Sequence, residues 1–326
     1  SKEQVMRNSL ILLLISLVPW NIMAQSRFAT TVTFKSGKET IEGILIRPNQ
    51  NGKIPAVVFQ QGSGNHPFEG YECEAWGPHK FYIEDVLLEQ GYAILYCNKR
   101  GLGNSTGNWM KNDFYGRADD AYAAVNYLKS RPDIDTTRIG ISGHSQGGWI
   151  AQLTAATHHD IAFVLCLAGP TVGVRAQTSM NDSLLYLCNG YPPEKLGRKM
   201  KQYRKRKNTA AAIGKHLPFI KSAYYWHLII DYDNDVVMRN LTCPTLLLFA
   251  EHDLNVPPDQ NIRHLNELFD HKIPENFTIK VMNGGQHGFY KVKDRCVSWS
   301  AAEQQPFDPE FQNQIRQWLI HLDQVQ

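Results

Sequence analysis

Short uninterrupted apolar runs alternate with helix-spaced segments along most of this sequence, and that alternation limits the folds open to it. Such runs are typical of strands that are covered on both faces. The alternation predicts an α/β fold with a mostly parallel central sheet and helices on both faces. The predicted strands are "TTVTFKS", "TIEGILIRP", "AVVFQQ", "YAILYC", "RIGISG", "IAFVLCLAG", "PTLLLFA" and "FTIKVM", and a helix from Pro309 closes the chain.

One long segment interrupts this alternation. Residues 171–240 contain no convincing strand, only helical patches rich in lysine, arginine and aromatic residues. The segment leaves from the carboxyl end of a predicted strand, where open α/β sheets bind ligands. We therefore expect a helical cap at residues 171–240, inserted into a core that is formed by residues 25–170 and 241–326.

The amino-terminal residues have the features of a secretory signal peptide. Lys2 and Arg7 precede an apolar run at residues 10–20, and Ala24 offers a small residue for cleavage. The run is shorter than the roughly 20 apolar residues that a membrane span needs. This pattern predicts that residues 1–24 are removed as a signal peptide and that the protein is bacterial and exported, either to the periplasm or outside the cell. No stable membrane insertion is expected after cleavage. An uncleaved amino-terminal anchor is the alternative.

The formal net charge of +3 is too small to indicate a nucleic-acid partner.

Six cysteines in an exported chain could form disulfide bonds. Cys97 and Cys166 lie inside strand-like runs, where cysteine usually serves as a small buried apolar residue. One bridge is possible among the other four, and the sequence does not select the pair: Cys73, Cys188, Cys243 and Cys296.

The segment "RIGISGHSQGGWIAQL", residues 138–153, passes from a predicted strand directly into a predicted helix. A serine at the tip of such a turn needs small residues two positions before and after it, and Gly143 and Gly147 flank Ser145 in this way. The turn exposes the hydroxyl and sets the amide of Gln146 at a helix amino terminus, where negative charge is favoured. A second Gly-x-Ser-x-Gly match, residues 103–107, has no apolar helix after it and is interpreted as a loop. Ser145 is therefore the predicted nucleophile.

A serine nucleophile needs a base, and the base needs an acid that orients it. Asp253 follows the predicted strand "PTLLLFA" and His287 follows the next strand, so both are expected at the sheet edge that carries Ser145. Glu251 is the rival acid, and Asp253 is preferred because it lies further beyond the strand end. His144 neighbours the serine but should point away from it, so it is expected to pack or to contact substrate.

The loop "QQGSGN" offers an amide for the oxyanion that forms when a serine attacks a carbonyl. Gly62 and Gly64 allow the backbone to approach closely, and Gly62 is also a predicted substrate contact. The amides of Ser63 and Gln146 form the predicted oxyanion hole. Losing one such donor typically raises the barrier by about 3 kcal/mol.

Together these segments resemble the α/β-hydrolase superfamily, and within it a group of capped bacterial serine esterases related to prolyl-oligopeptidase-like and dienelactone-hydrolase-like enzymes. The matching segments are "QQGSGN", "NKRGLGNSTG", "RIGISGHSQGG", "LAGP", "AEHD" and "GGQHGF". The resemblance implies acyl transfer by Ser145, His287 and Asp253 through an acyl-enzyme, with no metal or organic cofactor. Such proteins usually carry aspartate at the position of Asn98, so we expect Arg100 to have a weaker partner here.

The expected reaction is hydrolysis of a carboxylic ester of a small substrate. An aminopeptidase-like amide hydrolase is an alternative, although the basic stretch at residues 195–207 would repel a cationic substrate terminus. An acyl thioesterase or acyltransferase could use the same three residues. If the basic stretch faces the site, an acidic ester is favoured as substrate.

The predicted helical cap also contains a cluster of aromatic residues, most of which are expected to pack: Tyr224, Tyr225, Trp226 and Tyr232. Of these, Trp226 is the predicted substrate contact. The oligomeric state stays open.

Overall fold

The computed structural model describes residues 27–65, 67 and 78–325, and the predicted signal peptide and Cys73 lie outside this part of the chain. The strands are β1 Arg27–Ser36, β2 Glu39–Pro48, β3 Ile54–Gln60, β4 Ala93–Cys97, β5 Ile134–His144, β6 Val164–Leu167, β7 Thr245–Ala250 and β8 Phe277–Met282. They form one sheet in the order β1-β2-β4-β3-β5-β6-β7-β8.

Ten α-helices and a short 3-10 helix, Trp109–Lys111, are found in the described residues. The α-helices are α1 Pro78–Glu89, α2 Phe114–Lys129, α3 Gln146–Thr157, α4 Val174–Cys188, α5 Pro193–His216, α6 Lys221–Ile229, α7 Asp235–Asn240, α8 Pro258–Leu268, α9 Trp299–Ala302 and α10 Glu310–Val325. Within this part of the chain, every helix is too short or too polar to cross a bilayer.

The sheet changes from antiparallel to parallel at β4. β1 and β2 form a hairpin that turns at Gly37, where a φ of 55° suits a residue without a side chain. β2 is antiparallel to β4, and every later neighbouring pair is parallel. The carboxyl ends of β5 to β8 therefore share one edge, which confirms the predicted mostly parallel α/β fold.

The core has two apolar layers, one on each face of the sheet. Successive strand residues enter opposite layers, as Val57 and Val58 of β3 do. Ile150 of α3 packs in one layer and Phe311 of α10 in the other. Helices thus cover both faces, and strands buried on both sides need the continuous apolar runs seen in the sequence.

Residues 171–240, here called the helical insertion, connect β6 to β7 through α4, α5, α6 and α7. All of these residues are described, and none lies in a strand. α5 packs against α4 and α6, α6 contacts the 3-10 helix of the core, and α7 contacts α3. A disulfide from Cys188 of α4 to Cys296 ties the insertion to the segment that follows β8. Of the other described cysteines, Cys97, Cys166 and Cys243 are free.

Buried amide side chains join the helical insertion to the core. Asn234 donates to Gln152 Oε1 at 2.7 Å and to the Thr171 carbonyl at 3.2 Å. The Thr171 amide donates to Asn261 Oδ1 at 2.8 Å, and Asn261 Nδ2 donates to Gln177 Oε1 at 3.2 Å. Because these side chains are buried, breaking any one bond leaves an unsatisfied polar group. The network therefore ties the helical insertion to α3 and α8 of the core.

Candidate active site

Ser145 occupies a strained turn between β5 and α3. Its φ of 55° and ψ of −124° are unusual for a residue with a side chain. A Cβ atom on Gly143 would lie 2.0 Å from the Gly147 carbonyl oxygen, and one on Gly147 would lie 2.1 Å from the Gln60 carbonyl oxygen. Only glycine fits at both positions, which is the steric reason for the spacing seen in the sequence. Strain of this kind persists where surrounding structure imposes it, often at functional sites.

The backbone around Ser145 holds the turn in place. The Ser145 amide donates to the Leu167 carbonyl at 3.0 Å, and the Ser145 carbonyl accepts from the Gly148 amide at 2.8 Å. Within the described part of the chain, the Ser145 side chain makes no hydrogen bond that caps α3. The hydroxyl is therefore not bound to the amino terminus of α3.

Asp253 and His287 lie beyond the ends of β7 and β8 and form a buried pair. His287 Nδ1 lies 2.7 Å from Asp253 Oδ2, and the aspartate is fully buried. Asp253 Oδ1 accepts from the amides of Asn255 and Val256, each at 2.8 Å. A carboxylate oxygen accepts hydrogen bonds, so a neutral imidazole in this pair donates from Nδ1. The other ring nitrogen, Nε2, is then free to accept a proton as a base.

His144 connects the turn at Ser145 to the base. Its Nε2 lies 2.9 Å from the His287 carbonyl oxygen, which can only accept, so Nε2 carries the proton. The two imidazole rings have centroids 4.8 Å apart, and His144 is buried. The residue next to the predicted nucleophile therefore supports the backbone of the predicted base. Its substrate contact stays a prediction.

The rival acid has a different partner. Glu251 Oε2 accepts from the Gly284 amide at 2.7 Å, in the turn that follows β8. The hydrogen bond from His287 goes to Asp253. These hydrogen bonds favour Asp253 over Glu251 as the predicted acid.

The loop after β3 lies directly against the turn at Ser145. A Cβ atom on Gly62 would lie 3.2 Å from Ser145 Cβ, and Ser63 is exposed. Lys99 Nζ donates to the carbonyls of Gly62 and Gly64 at 2.7 and 2.8 Å. In a trans peptide the C=O and N–H groups point in opposite directions. Holding the Gly62 carbonyl therefore turns the Ser63 amide away from Lys99, and so fixes the direction of one predicted oxyanion donor.

Two buried basic side chains lie behind this loop: Lys99 belongs to the segment "NKRGLGNSTG", whereas no motif in the sequence identifies Arg117. Arg117 donates to Gln146 Oε1 at 2.6 Å and to the Gln61 carbonyl at 2.9 Å. Burial, and after it the charge of Arg117, holds the pKa of Lys99 well below its usual value. Burial also lowers the pKa of the Arg117 guanidinium. Carbonyl oxygens of the loop and the Gln146 side-chain oxygen accept hydrogen bonds from both side chains and so fix their positions.

Trp226 packs inside the helical insertion. Its indole donates to the Lys207 carbonyl at 3.2 Å, and Lys207 Nζ lies 4.2 Å from the ring centroid. The neighbouring Tyr225 instead reaches the core, where its hydroxyl lies 3.4 Å from Gln146 Oε1. Both residues belong to one aromatic cluster in the sequence, but only Trp226 was predicted to contact substrate, and the contact of Tyr225 with the core was not predicted. The substrate contact of Trp226 stays a prediction.

Trp299 is a further residue beside the site that the sequence did not reveal. Its ring centroid lies 6.2 Å from that of His287, and 41% of the residue is exposed. The indole donates to Glu303 Oε1 at 2.6 Å, which fixes its orientation. No motif surrounds Trp299, so only its proximity to the base identifies it.

The expectation for Arg100 was wrong. Arg100 makes three hydrogen bonds to both carboxylate oxygens of Asp120, at 2.8 to 3.1 Å. Asn98 donates instead to Glu42 Oε2 at 2.9 Å. A carboxylate from α2 thus supplies the partner that the sequence around Asn98 lacks.

The site has no obvious place for a metal ion. In residues 27–65, 67 and 78–325, His, Cys, Asp and Glu side chains do not gather in groups of three or more that could bind one.

Comparisons with known proteins identify the family and the fold. The sequence model described as the prolyl oligopeptidase family matches residues 79–314. Esterase EstD of Thermotoga maritima is 24% identical over 89% of this chain and 66% of its own length. Dipeptidyl-peptidase 5 of Porphyromonas gingivalis is 27% identical over 40% of this chain and 19% of its own. The chain thus spans less than two thirds of these relatives.

A solved structure shares the fold. Est1E from Butyrivibrio proteoclasticus, with ferulic acid bound, superposes with a TM-score of 0.57 and 16% identity, over 89% of this chain and 98% of Est1E. At that identity the likeness concerns the fold alone. Family match and fold together lead to one conclusion: the chain belongs to the prolyl oligopeptidase family and is an α/β-hydrolase related to serine esterases.

Proposed function

We propose that the protein hydrolyses carboxylic esters of small substrates, with Ser145 as nucleophile, His287 as base and Asp253 as the acid that orients the base. One observation carries the proposal: His287 donates to a buried Asp253 beside the strained turn that presents Ser145. The likeness to EstD supports ester rather than another substrate class.

The proposed reaction has two steps. His287 Nε2 accepts the hydroxyl proton as Ser145 Oγ forms a bond to the ester carbonyl carbon, and the carbonyl electron pair moves onto oxygen. The amides of Ser63 and Gln146 hold this oxyanion. The tetrahedral species then expels the alcohol, which takes the proton from His287. Water repeats the sequence on the acyl-enzyme, releasing the carboxylic acid and restoring Ser145.

Amide hydrolysis is the second candidate. The match to the prolyl oligopeptidase family and the likeness to Dipeptidyl-peptidase 5 favour it. A substrate with a free amino terminus needs an acidic partner, and the five acidic residues of the helical insertion all lie outside its basic segment at residues 195–230: Asp182, Glu194, Asp231, Asp233 and Asp235. That charge distribution supports an ester substrate without a cationic terminus.

A substrate panel tests the proposal. Short p-nitrophenyl esters, a feruloyl ester and aminoacyl p-nitroanilides are compared for the unaltered protein, Ser145→Ala and Ser105→Ala. Ser105 is the serine of the second Gly-x-Ser-x-Gly match, and its hydroxyl accepts from the Glu42 amide, so it is a matched control. We expect ester turnover that Ser145→Ala abolishes and Ser105→Ala keeps. Turnover in Ser145→Ala would refute the nucleophile, and faster anilide cleavage would favour the second candidate.

Export and a covering role for the helical insertion belong to the same proposal. The disulfide between Cys188 and Cys296 supports export, because disulfides persist in oxidising compartments. The contact of Tyr225 with Gln146 supports an insertion that covers the site. Sequencing the amino terminus of the protein recovered from outside the cytoplasm tests the first point. An intact amino terminus in the cytosol would contradict it.

A further inference from the structure

The turn between α5 and α6 exposes apolar side chains. Residues 215–222, "KHLPFIKS", are all exposed. The exposed fraction is 75% for Phe219, 40% for Leu217 and 37% for Ile220, and Ile213, one helical turn earlier, is 39% exposed. These four side chains, here called the apolar tip, lie together in sequence at the end of α5. Apolar side chains exposed together mark an interaction surface.

The surroundings of the apolar tip are strongly basic. Residues 195–230 contain ten Lys and Arg residues and no Asp or Glu. Most of these cations are exposed, and we call the exposed set the basic face: Lys195, Arg198, Lys201, Arg204, Lys205, Arg206, Lys215 and Lys221. Because no acidic side chain of this segment neutralises them, the whole surface attracts anions.

The basic face and the apolar tip belong to one outer surface. α5 carries Ile213 and seven of the eight residues of the basic face, and the rest of the apolar tip follows directly after the end of this helix. Lys215 and Lys221 flank the tip directly. An apolar loop bordered by lysines matches the layered chemistry of a bilayer, with acyl chains beneath anionic headgroups.

We propose that this surface docks on an anionic lipid bilayer, with the apolar tip inserted among the headgroups and the basic face lying against them. A second copy of the chain is a poorer occupant, because pairing this surface with itself would bring like charges together. A soluble polyanion would use the cations and leave the apolar tip exposed. The proposal is independent of the proposed function, since Ser145→Ala should bind vesicles as the unaltered protein does.

Substitutions in the basic face and in the apolar tip are expected to weaken vesicle binding by different amounts. Each Lys or Arg near an anionic membrane contributes about fivefold to binding, so neutralising two lowers vesicle partitioning about 25-fold. Burial of a phenylalanine side chain contributes about tenfold or more. Salt weakens the contribution of the basic face, because the Debye length falls to about 3 Å at 1 M ionic strength.

Vesicle co-sedimentation tests the proposal with vesicles of phosphatidylcholine alone and of phosphatidylcholine mixed with phosphatidylglycerol. The apolar variant is Phe219→Ser, matched by Phe28→Ser, because Phe28 is 56% exposed on β1. The charge variant combines Lys201→Gln with Lys205→Gln. Its control combines Lys38→Gln with Lys272→Gln, at exposed positions outside the helical insertion. Circular dichroism checks that each variant is folded.

We expect binding to the mixed vesicles only, lost in both test variants and kept in both controls. Equal binding to both vesicle types would overturn the proposal. So would unchanged binding by Phe219→Ser, which would indicate adhesion to any polyanion. A dimer in vesicle-free sedimentation that Phe219→Ser converts to a monomer would instead assign the surface to a second copy of the chain.

Discussion

Replacing Asp253 by asparagine changes one atom of the proposed site and reverses the hydrogen bond that orients the base. The asparagine Oδ1 can still accept from the amides of Asn255 and Val256, as the aspartate does at 2.8 Å. The asparagine Nδ2 then faces His287 Nδ1, now 2.7 Å from the aspartate oxygen. Since Nδ2 is a donor, the ring proton moves to Nε2, and the nitrogen that should accept the Ser145 proton becomes a donor.

The expected cost of the wrong tautomer is about 10⁴-fold in kcat. That factor corresponds to about 5.4 kcal/mol in the activation barrier. KM should change little, because Asp253 is fully buried and does not touch the substrate. Raising the pH should not restore the rate, since the tautomer rather than the charge of the ring limits it.

The assay is hydrolysis of a short p-nitrophenyl ester, with urea unfolding to check stability. Glu251→Gln is the matched control: this carboxylate is nearby but accepts from the Gly284 amide, so its loss should leave kcat within a few-fold. A variant Asp253→Asn that keeps a tenth of the activity would refute the proposed role of the acid. An inactive Glu251→Gln variant beside an active Asp253→Asn variant would assign that role to Glu251 instead.

Three further predictions concern the same region and its supports. The free energy of unfolding in urea should be about 1 kcal/mol higher for Ser145→Gly than for Ser145→Ala, because only glycine adopts a φ of 55° without strain. Equal free energies of unfolding would mean that the turn is not strained. Since the pKa of Lys99 is lowered in the folded protein, the unfolded chain binds more protons between that value and about 10.4. The free energy of unfolding should therefore rise with pH in this window, by up to about 1.4 kcal/mol per pH unit. This pH dependence should be absent in Lys99→Met, and a variant with the same pH dependence as the parent would contradict the prediction. Replacing Cys188 and Cys296 by serine opens a loop of 108 residues and should lower the free energy of unfolding by about 3 to 5 kcal/mol, whereas Cys243→Ser should not; a double variant as stable as the parent would exclude the bond.

The parts of the fold that the sequence predicted depend on local rules. Strands that are buried on both faces require continuous apolar runs, so β3, the second half of β5, β6 and β7 could be predicted from the sequence. The glycines around Ser145 follow from steric exclusion at one turn. Asp253 and His287 were predicted from strand ends, because parallel strands bring their carboxyl ends to one edge.

The missed residues act between elements that are distant in the chain, where no local rule applies. Arg117 reaches Gln146 from α2, 29 positions away in the chain, and no spacing predicts that meeting. The choice between Tyr225 and Trp226 depends on the rotation of α6 about its axis, which packing against α5 decides. The disulfide pairing depends on the end of α4 and the segment after β8, which approach each other only in the folded chain, so Cys188 and Cys296 could not be selected.

The central claim is that Ser145 is a nucleophile activated by His287. Incubation with a fluorophosphonate probe, followed by mass mapping of the labelled peptide, tests it most directly. We predict a single adduct on Ser145, absent in Ser145→Ala and strongly slowed in His287→Ala and Asp253→Asn. An adduct on another serine, or labelling of Ser145 at an unchanged rate without His287, would contradict the account.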